Sequence, residues 1–295
     1  MSNSTHFFRI AELNISITFI ESKFNSMTLL PSFKNFSTQP TDDVFFNLTV
    51  HKSLSFDNNQ PKERIRDFDT GNGITVVDRL PDGGYEFTIG DIHGQDCCRL
   101  KANHGFTRCE CALRGNYNMR SFGLNNALML IFSFAGSYKN LILIHASLVR
   151  HKDHGYAFTA KSGTGKSTHV SMWLRHIPGC DLMNDDNPIV RIIDGKPYIY
   201  GTPWSGKTPC YRNIKAHLGT IAKINRATEN HVQKLHPIEA FAALLPSASS
   251  MKWDKEIFDN TCGIITRIIE STPIYTIHCL PNKEAAIICH QEIAK

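Results

Sequence analysis

One stretch of this chain has the residue types and spacing for phosphate chemistry: Ala160-Lys161-Ser162-Gly163-Thr164-Gly165-Lys166-Ser167-Thr168. It fits the pattern G-x-x-x-x-G-K-S/T, except that Ala160 stands in place of the first glycine. Gly163 and Gly165 can turn backbone N–H groups onto anionic oxygens, because glycine adopts positive φ without a Cβ clash. A helix beginning near Lys166 would aim its positive end at the same anion. In such a loop Lys166 reaches the β- and γ-oxygens of a nucleotide and the Ser167 hydroxyl ligates Mg²⁺. Ser162, Thr164 and Thr168 complete the cradle.

A second candidate follows at Met183-Asn184-Asp185-Asp186-Asn187, eighteen residues past Ser167. Two adjacent carboxylates at a strand end can divide the work: one holds a metal ion, the other accepts the proton of an attacking hydroxyl. An Asp-Asp-Asn turn is the plainer reading of the same residues. Gly201-Thr202-Pro203-Trp204-Ser205-Gly206-Lys207 is loop by composition; there Lys207 would meet a phosphate or a substrate carboxylate, and Trp204 would stack on a base. Arg212 would lend positive charge to a transferring phosphoryl group, or else stand solvated. His145 alternates with Leu141, Leu143 and Ser147 on one face of a predicted strand, which suits a core histidine as well as a site residue. Cys97, Cys98, Cys109 and Cys111, with His93 and His104, invite a zinc reading. Their spacing argues against it, since structural sites favour C-x₂₋₄-C; small buried residues in a hairpin fit better.

The elements that must position these groups divide the chain in two. Residues 1–118 read as a β-rich domain, an antiparallel sheet by its alternation. Phe8–Ile17 alternates with slips, Pro81–Gly84 is a turn between two strands, and Asp57–Gly73 reads as a polar loop. Residues 119–295 mix helices and strands. Ser121–Ala135 reads as a buried helix stopped at Gly136. Asn140–Arg150 and Tyr156–Ala160 read as strands joined by the turn Lys152–Gly155, so they pair antiparallel and the glycine-rich loop emerges from a hairpin. A helix to about His176 follows, then strands at Asp181–Asp185, Ile189–Ile193, Tyr198–Tyr200 and Leu218–Ile224. Helices at Ile238–Leu245 and Trp253–Glu270, a strand at Ile274–Leu280 and a helix at Asn282–Ala294 close the chain.

Composition excludes several classes. The 295 residues carry 32 Lys+Arg against 27 Asp+Glu, a net charge of +5 with no basic run, so a dedicated nucleic-acid binder is not expected. The longest apolar stretches, Ala127–Ala135 and Leu141–Val149, fall far short of the roughly 20 residues a membrane-spanning helix needs. Nine scattered cysteines and the lack of a signal peptide point to reduced thiols and a cytoplasmic location.

Through Ile144–Ser147, the hairpin, Ser162–Ser167 and Asp185-Asp186, the chain resembles the HPr kinase/phosphorylase family. That group shares its nucleotide fold with phosphoenolpyruvate carboxykinases. The likeness spans roughly 140–200 and is nearest to a divergent branch that includes peptide-modifying kinases, in which a segment like Gly201–Lys207 recurs. It implies Lys166 and Ser167 in nucleotide and Mg²⁺ binding, Asp185 as base, Asp186 as the metal-side carboxylate, and His145 near the phosphates. The expectation is therefore an α/β chain with a β-rich N-terminal domain and a phosphoenolpyruvate-carboxykinase-like domain. Its activity would be an ATP- and Mg²⁺-dependent transfer of the γ-phosphate to a hydroxyl, a Ser of a peptide or protein. Self-association stays open. The alternatives are a nucleotide-binding regulatory protein without phosphotransfer, or a carboxykinase-type lyase.

Overall fold

The computed structural model describes residues 3–20, 24–53, 61–69, 73–161 and 163–294. It is a mixed α/β chain with two sheets, and it divides into two compact units, Met1–Ala135 and Gly136–Lys295.

The first unit holds β1 (Ser4–Ile10), β2 (Leu13–Phe19), β3 (Phe46–His51), β4 (Glu63–Asp69), β5 (Ile74–Arg79), β6 (Tyr85–Gly90), β7 (Asp96–Ala102), β8 (Arg108–Leu113) and the helix α1 (Tyr117–Gly136). The spatial order is β1-β2-β3-β8-β7-β6-β5-β4. The slips in the Phe8–Ile17 alternation are a two-residue turn: Ala11 and Glu12 both have left-handed φ, 48° and 64°, and Ile10 pairs with Leu13 across it. The sheet is not purely antiparallel, because β3 runs parallel to both β2 and β8. The chain reaches β3 through two short 3₁₀ turns that bury Leu29, Phe33 and Phe36, and alternation inside a strand says nothing about its neighbour's direction. The segment expected as a loop at Asp57–Gly73 contains β4, a charged edge strand; its residues 57–60 and 70–72 lie outside the described residues.

The expected domains meet at 118/119, while the first compact unit runs to Ala135 and includes α1, which packs on the first sheet. Phe132 meets Phe45 and Phe46, and Phe134 meets Phe87 and Phe106, with ring centroids 5.5–6.0 Å apart. Helix and sheet touch closely at Gly123, where an added Cβ would stand 2.8 Å from the Cys98 Cβ and 2.9 Å from the Cys97 carbonyl.

The second unit holds β9 (Leu141–Leu143), β10 (Ala146–His151), β11 (His154–Thr159), β12 (Cys180–Asp186), β13 (Ile189–Ile193), β14 (Lys196–Tyr200), β15 (Lys215–Arg226), β16 (His231–Lys234) and β17 (Ile274–Cys279). Its helices are α2 (Lys166–His176), α3 (Pro237–Leu244), α4 (Lys255–Ser271) and α5 (Lys283–Ile293). The main path through the sheet is β12-β10-β11-β15-β14-β13-β9, with β17 on β15 and β16 on β17. The short exposed β16 was not foreseen. The expected strand Asn140–Arg150 is broken: the Ile144 N–H donates to the Pro188 carbonyl and the His145 N–H to the Ser247 carbonyl. His145 therefore stands in a gap between β9 and β10 rather than in their alternation.

β10 and β11 form the expected antiparallel hairpin, while β11, β15 and β17 run parallel. β12 is antiparallel to β10, with Ala146 opposite Asp186. The carboxyl ends of β11, β12, β15 and β17 thus share one end of the sheet, where ligands gather in open α/β sheets. One face is covered by α3 and α4 around Leu148, Ala157 and Ile221; the other by α2 and α5 around Phe158, Trp173 and Cys289.

α2 is anchored by Val170 and the fully buried Trp173, whose ring packs 5.3–5.4 Å from Tyr156 and Phe158. The Trp173 Nε1–H donates to His169 Nε2 at 3.1 Å, so that imidazole nitrogen is an acceptor and the ring is neutral. Burial pushes the His169 pKa down to about 4.

Two outcomes follow. Gly123→Ala should destabilise the protein by about 1–3 kcal/mol, because the helix must back off the sheet and this outweighs the better helix propensity of alanine; a urea midpoint at or above wild type would contradict the close contact. For His169, the unfolded imidazole binds a proton below about pH 6.5 while the folded one does not until about 4. Stability is then full at neutral pH and falls as pH drops through that window, by about 2 kcal/mol between pH 7 and pH 5 from this group alone. His169→Gln should remove that share of the acid sensitivity, measurable by urea unfolding at the two pH values.

Candidate functional site

The glycine-rich loop runs from the end of β11 to the start of α2. Gly163 and Gly165 take φ of 76° and 120°, so a side chain at either place would strain the backbone even though space is open around both. The Thr164 N–H donates to the Lys161 carbonyl and closes a turn. Arg226, at the end of β15, donates from Nε to the Thr164 carbonyl at 3.0 Å and from Nη2 to the Gly163 carbonyl. A trans peptide points its N–H opposite to its C=O, so the Gly165 N–H faces away from Arg226. The His169 N–H is bonded to the Gly165 carbonyl and no side chain caps α2, which leaves first-turn N–H groups without helical acceptors. Ser167 and Thr168 are exposed on that turn; Ser162 lies outside the described residues.

Lys166 begins α2, and its ammonium is buried with no hydrogen-bond partner. The nearest opposite charge is Asp186 Oδ1 at 3.9 Å. Burial lowers the Lys166 pKa below the usual lysine value, and the charges of Asp186 and Asp185 oppose that fall. His145 Nδ1 lies 3.1 Å from the same Asp186 oxygen. Burial and the Lys166 charge lower the His145 pKa, against the pull of the two aspartates. The structure thus brings Lys166, His145 and Asp186 together at the loop.

The two carboxylates differ. Asp185 is 5% exposed; its Oδ1 accepts from the Ser147 hydroxyl at 2.8 Å and its Oδ2 from the Thr208 N–H at 3.1 Å. Asp186 is more open and has φ 145°, a conformation L residues avoid at a cost of order 1–3 kcal/mol. That backbone is held by the Gly206 N–H, which donates to the Asp185 carbonyl, and by a bridge to Ser205. Further bonds fasten residues 201–210 to β12. Asn184 Nδ2 donates to Thr202 Oγ1 and to the Trp204 carbonyl, and Ser205 Oγ donates to the Asp185 carbonyl. Lys207 stands exposed at the tip of this platform, next to Thr208; Trp204 is buried within it.

Arg212 is not brought to the loop. Its Nη1 donates to the Leu182 carbonyl and pairs with Asp181 at 2.8 Å, beside Arg150, in the first half of β12. The cysteines of the zinc reading lie in the first unit, where a hydrogen bond with Cys111, and then burial, raise the Cys98 pKa. Among the described residues no group of three or more His, Cys, Asp or Glu could hold a metal ion. Arg226, Ser147 and Thr208 were missed from the sequence. Each reaches the site through strand pairing or a fixed loop, and none carries a local spacing signal.

No family model and no curated protein matches the chain. Among solved structures it is similar to the Hpr(Ser) kinase/phosphatase from Coxiella burnetii, at 10% identity over 52% of this chain and 93% of that one, with a TM-score of 0.30. A likeness that loose leaves the chemistry to be read from this chain's own residues.

The network around Asp185 makes a stability prediction. Asp185→Ala leaves a buried Ser147 hydroxyl and the Thr208 N–H without an acceptor, at about 1–3 kcal/mol for each group. Asp185→Asn can keep both bonds, its carbonyl accepting from Thr208 and its amino group donating to Ser147 Oγ. Urea unfolding should therefore rank Asp185→Ala well below Asp185→Asn; equal midpoints would show the network to be immaterial.

Proposed function

We propose that the second unit binds a nucleoside triphosphate with Mg²⁺ on the Gly163–Thr168 loop and transfers its γ-phosphate to a hydroxyl, that of a Ser in a peptide or protein. The observation that carries this reading is the Lys166 ammonium: a cation out of water, without a hydrogen bond, at the positive end of a helix whose first N–H groups are also unclaimed. That cluster of donors calls for an anion with several oxygens. The loop is then a phosphate-binding P-loop on a carboxykinase-like hairpin.

The donor set also suits Mg²⁺, which takes one or two carboxylates and fills its remaining positions with phosphate oxygens and water. Asp186 and Ser167 would hold the ion, and it would supply charge neutralisation at the β- and γ-oxygens. The chain's own residues do the rest. Lys166 and the loop N–H groups absorb negative charge that moves toward the leaving oxygen. The acceptor oxygen forms a bond to the γ-phosphorus as the bond to the nucleoside diphosphate breaks, and the acceptor's proton goes to Asp185. A carboxylate offers about four lone-pair sites, and Ser147 and Thr208 take one each, so capacity remains for that proton. Lys207, exposed beside Thr208, would meet the acceptor or a phosphate.

Calorimetry with Mg–ATP should show Lys166→Ala binding at least about tenfold more weakly than wild type. Mass spectrometry of a peptide encoded or purified alongside the protein should show the gain of one phosphate with wild type. Asp185→Asn should lose that transfer by about 10²–10⁴-fold while keeping ATP affinity. Unchanged ATP binding in Lys166→Ala would remove the basis of the reading.

A further inference from the structure

The glycine-rich loop lies at the carboxyl end of β11, and β17 runs parallel to β15 and β11. At the amino end of β17, away from the loop, is a cavity of about 590 Å³. Buried Ala240 and Ile274 give its wall an apolar part. The last turn of α4 reaches the wall at Ser271 and the first turn of α3 at Pro237. One helix thus brings its negative end to the cavity and another its positive end. Glu270, on that last turn of α4, and Lys234, just before α3, also line it. A carboxylate in a last turn and a cation before a first turn both oppose the helix dipole, so neither charge is placed for the sake of its helix. Both side chains are exposed, and among the described residues neither forms an ion pair or a hydrogen bond. Thr272, between them in the lining, is 3% exposed and its hydroxyl has no hydrogen-bond partner.

We propose that this cavity binds a small zwitterion, an amino acid with an apolar side chain. Its carboxylate meets Lys234 and the start of α3, its ammonium meets Glu270 and the end of α4, and its side chain lies against Ala240 and Ile274. The volume falls in the range of sites that enclose small organic ligands, roughly 300–1,000 Å³. Lys234 and Glu270 line one cavity without pairing with each other, so the space between them is open to a ligand with a charge at each end. Both bonds would be charge-assisted, the stronger kind. A buried hydroxyl without a partner is costly, and Thr272 can donate to the carboxylate or accept from the ammonium. The site is separate from the phosphate loop and would stand if no nucleotide bound there.

The test is calorimetry on the full chain with L-leucine, L-isoleucine and L-phenylalanine. At least one should bind with a Kd below about 1 mM; no binding of any of them up to about 10 mM would overturn the proposal. For the amino acid that binds, the N-acetyl and carboxamide derivatives each lack one charge and should bind at least about tenfold more weakly. Equal affinity of either derivative would show that the zwitterion is not what is recognised, and would also overturn it. Glu270→Gln and Lys234→Gln change exposed side chains, so both variants should fold, and each should weaken binding by about tenfold. Wild-type affinity in either variant would sink the idea. Hydrogen exchange of the unmodified protein locates the ligand independently: added protection at residues 234–240 and 269–274 is the expected result, and protection confined to other segments overturns it. None of these outcomes bears on the phosphate site.

Discussion

Lys166 is the first residue of α2, where backbone N–H groups have no helical carbonyl to satisfy them, and its ammonium is buried. Charge of one sign is concentrated there, and burial makes it costly to leave alone. Asp186 at 3.9 Å offsets part of that cost without a hydrogen bond. Much of the second unit holds this imbalance in place. Trp173 and its aromatic neighbours fix the axis of α2, the β10–β11 hairpin sets where the loop leaves the sheet, and Arg226 pins the loop carbonyls on the far side.

The acid pair depends on a second constraint, the register between β10 and β12. Ala146 opposite Asp186 and Ser147 opposite Asp185 put a hydroxyl under one carboxylate and a strand break beside the other. The break places His145 against Asp186. The 201–210 segment completes the arrangement by bonding to both the main chain and the side chain of Asp185. Two adjacent residues of one type thereby acquire different surroundings, one enclosed and doubly bonded, the other strained and open.

The loop could be read from the sequence because its signals are local: glycines where φ must be positive, a lysine at the helix start, an apolar strand before it. The hairpin was legible for the same reason. What could not be read is set by distant partners. The break at Ile144–His145 is made by carbonyls of Pro188 and Ser247, the parallel placement of β3 by its neighbours β2 and β8, and the role of Arg226 by the pairing of β15 with β11. α1 was legible as a helix, but its length and composition do not say which sheet it covers. Its charge alone left Arg212 open between a phosphoryl contact and a solvated side chain; Asp181, an equally ordinary residue, pairs with it instead.

β4 was read as a loop because Glu63, Arg64, Arg66, Asp67 and Asp69 leave it little apolar alternation. The same residues bear on solubility. Among the described residues β4 is the last strand of its sheet, so one row of its backbone N–H and C=O groups has no partner strand there. A flat apolar strand in that position would be a template for another chain to pair with and a starting point for aggregation. Charges of both signs along β4 make such an added strand desolvate ionised groups at nearly every residue. The feature that hides β4 from periodicity also keeps an eight-stranded sheet from growing past its own edge.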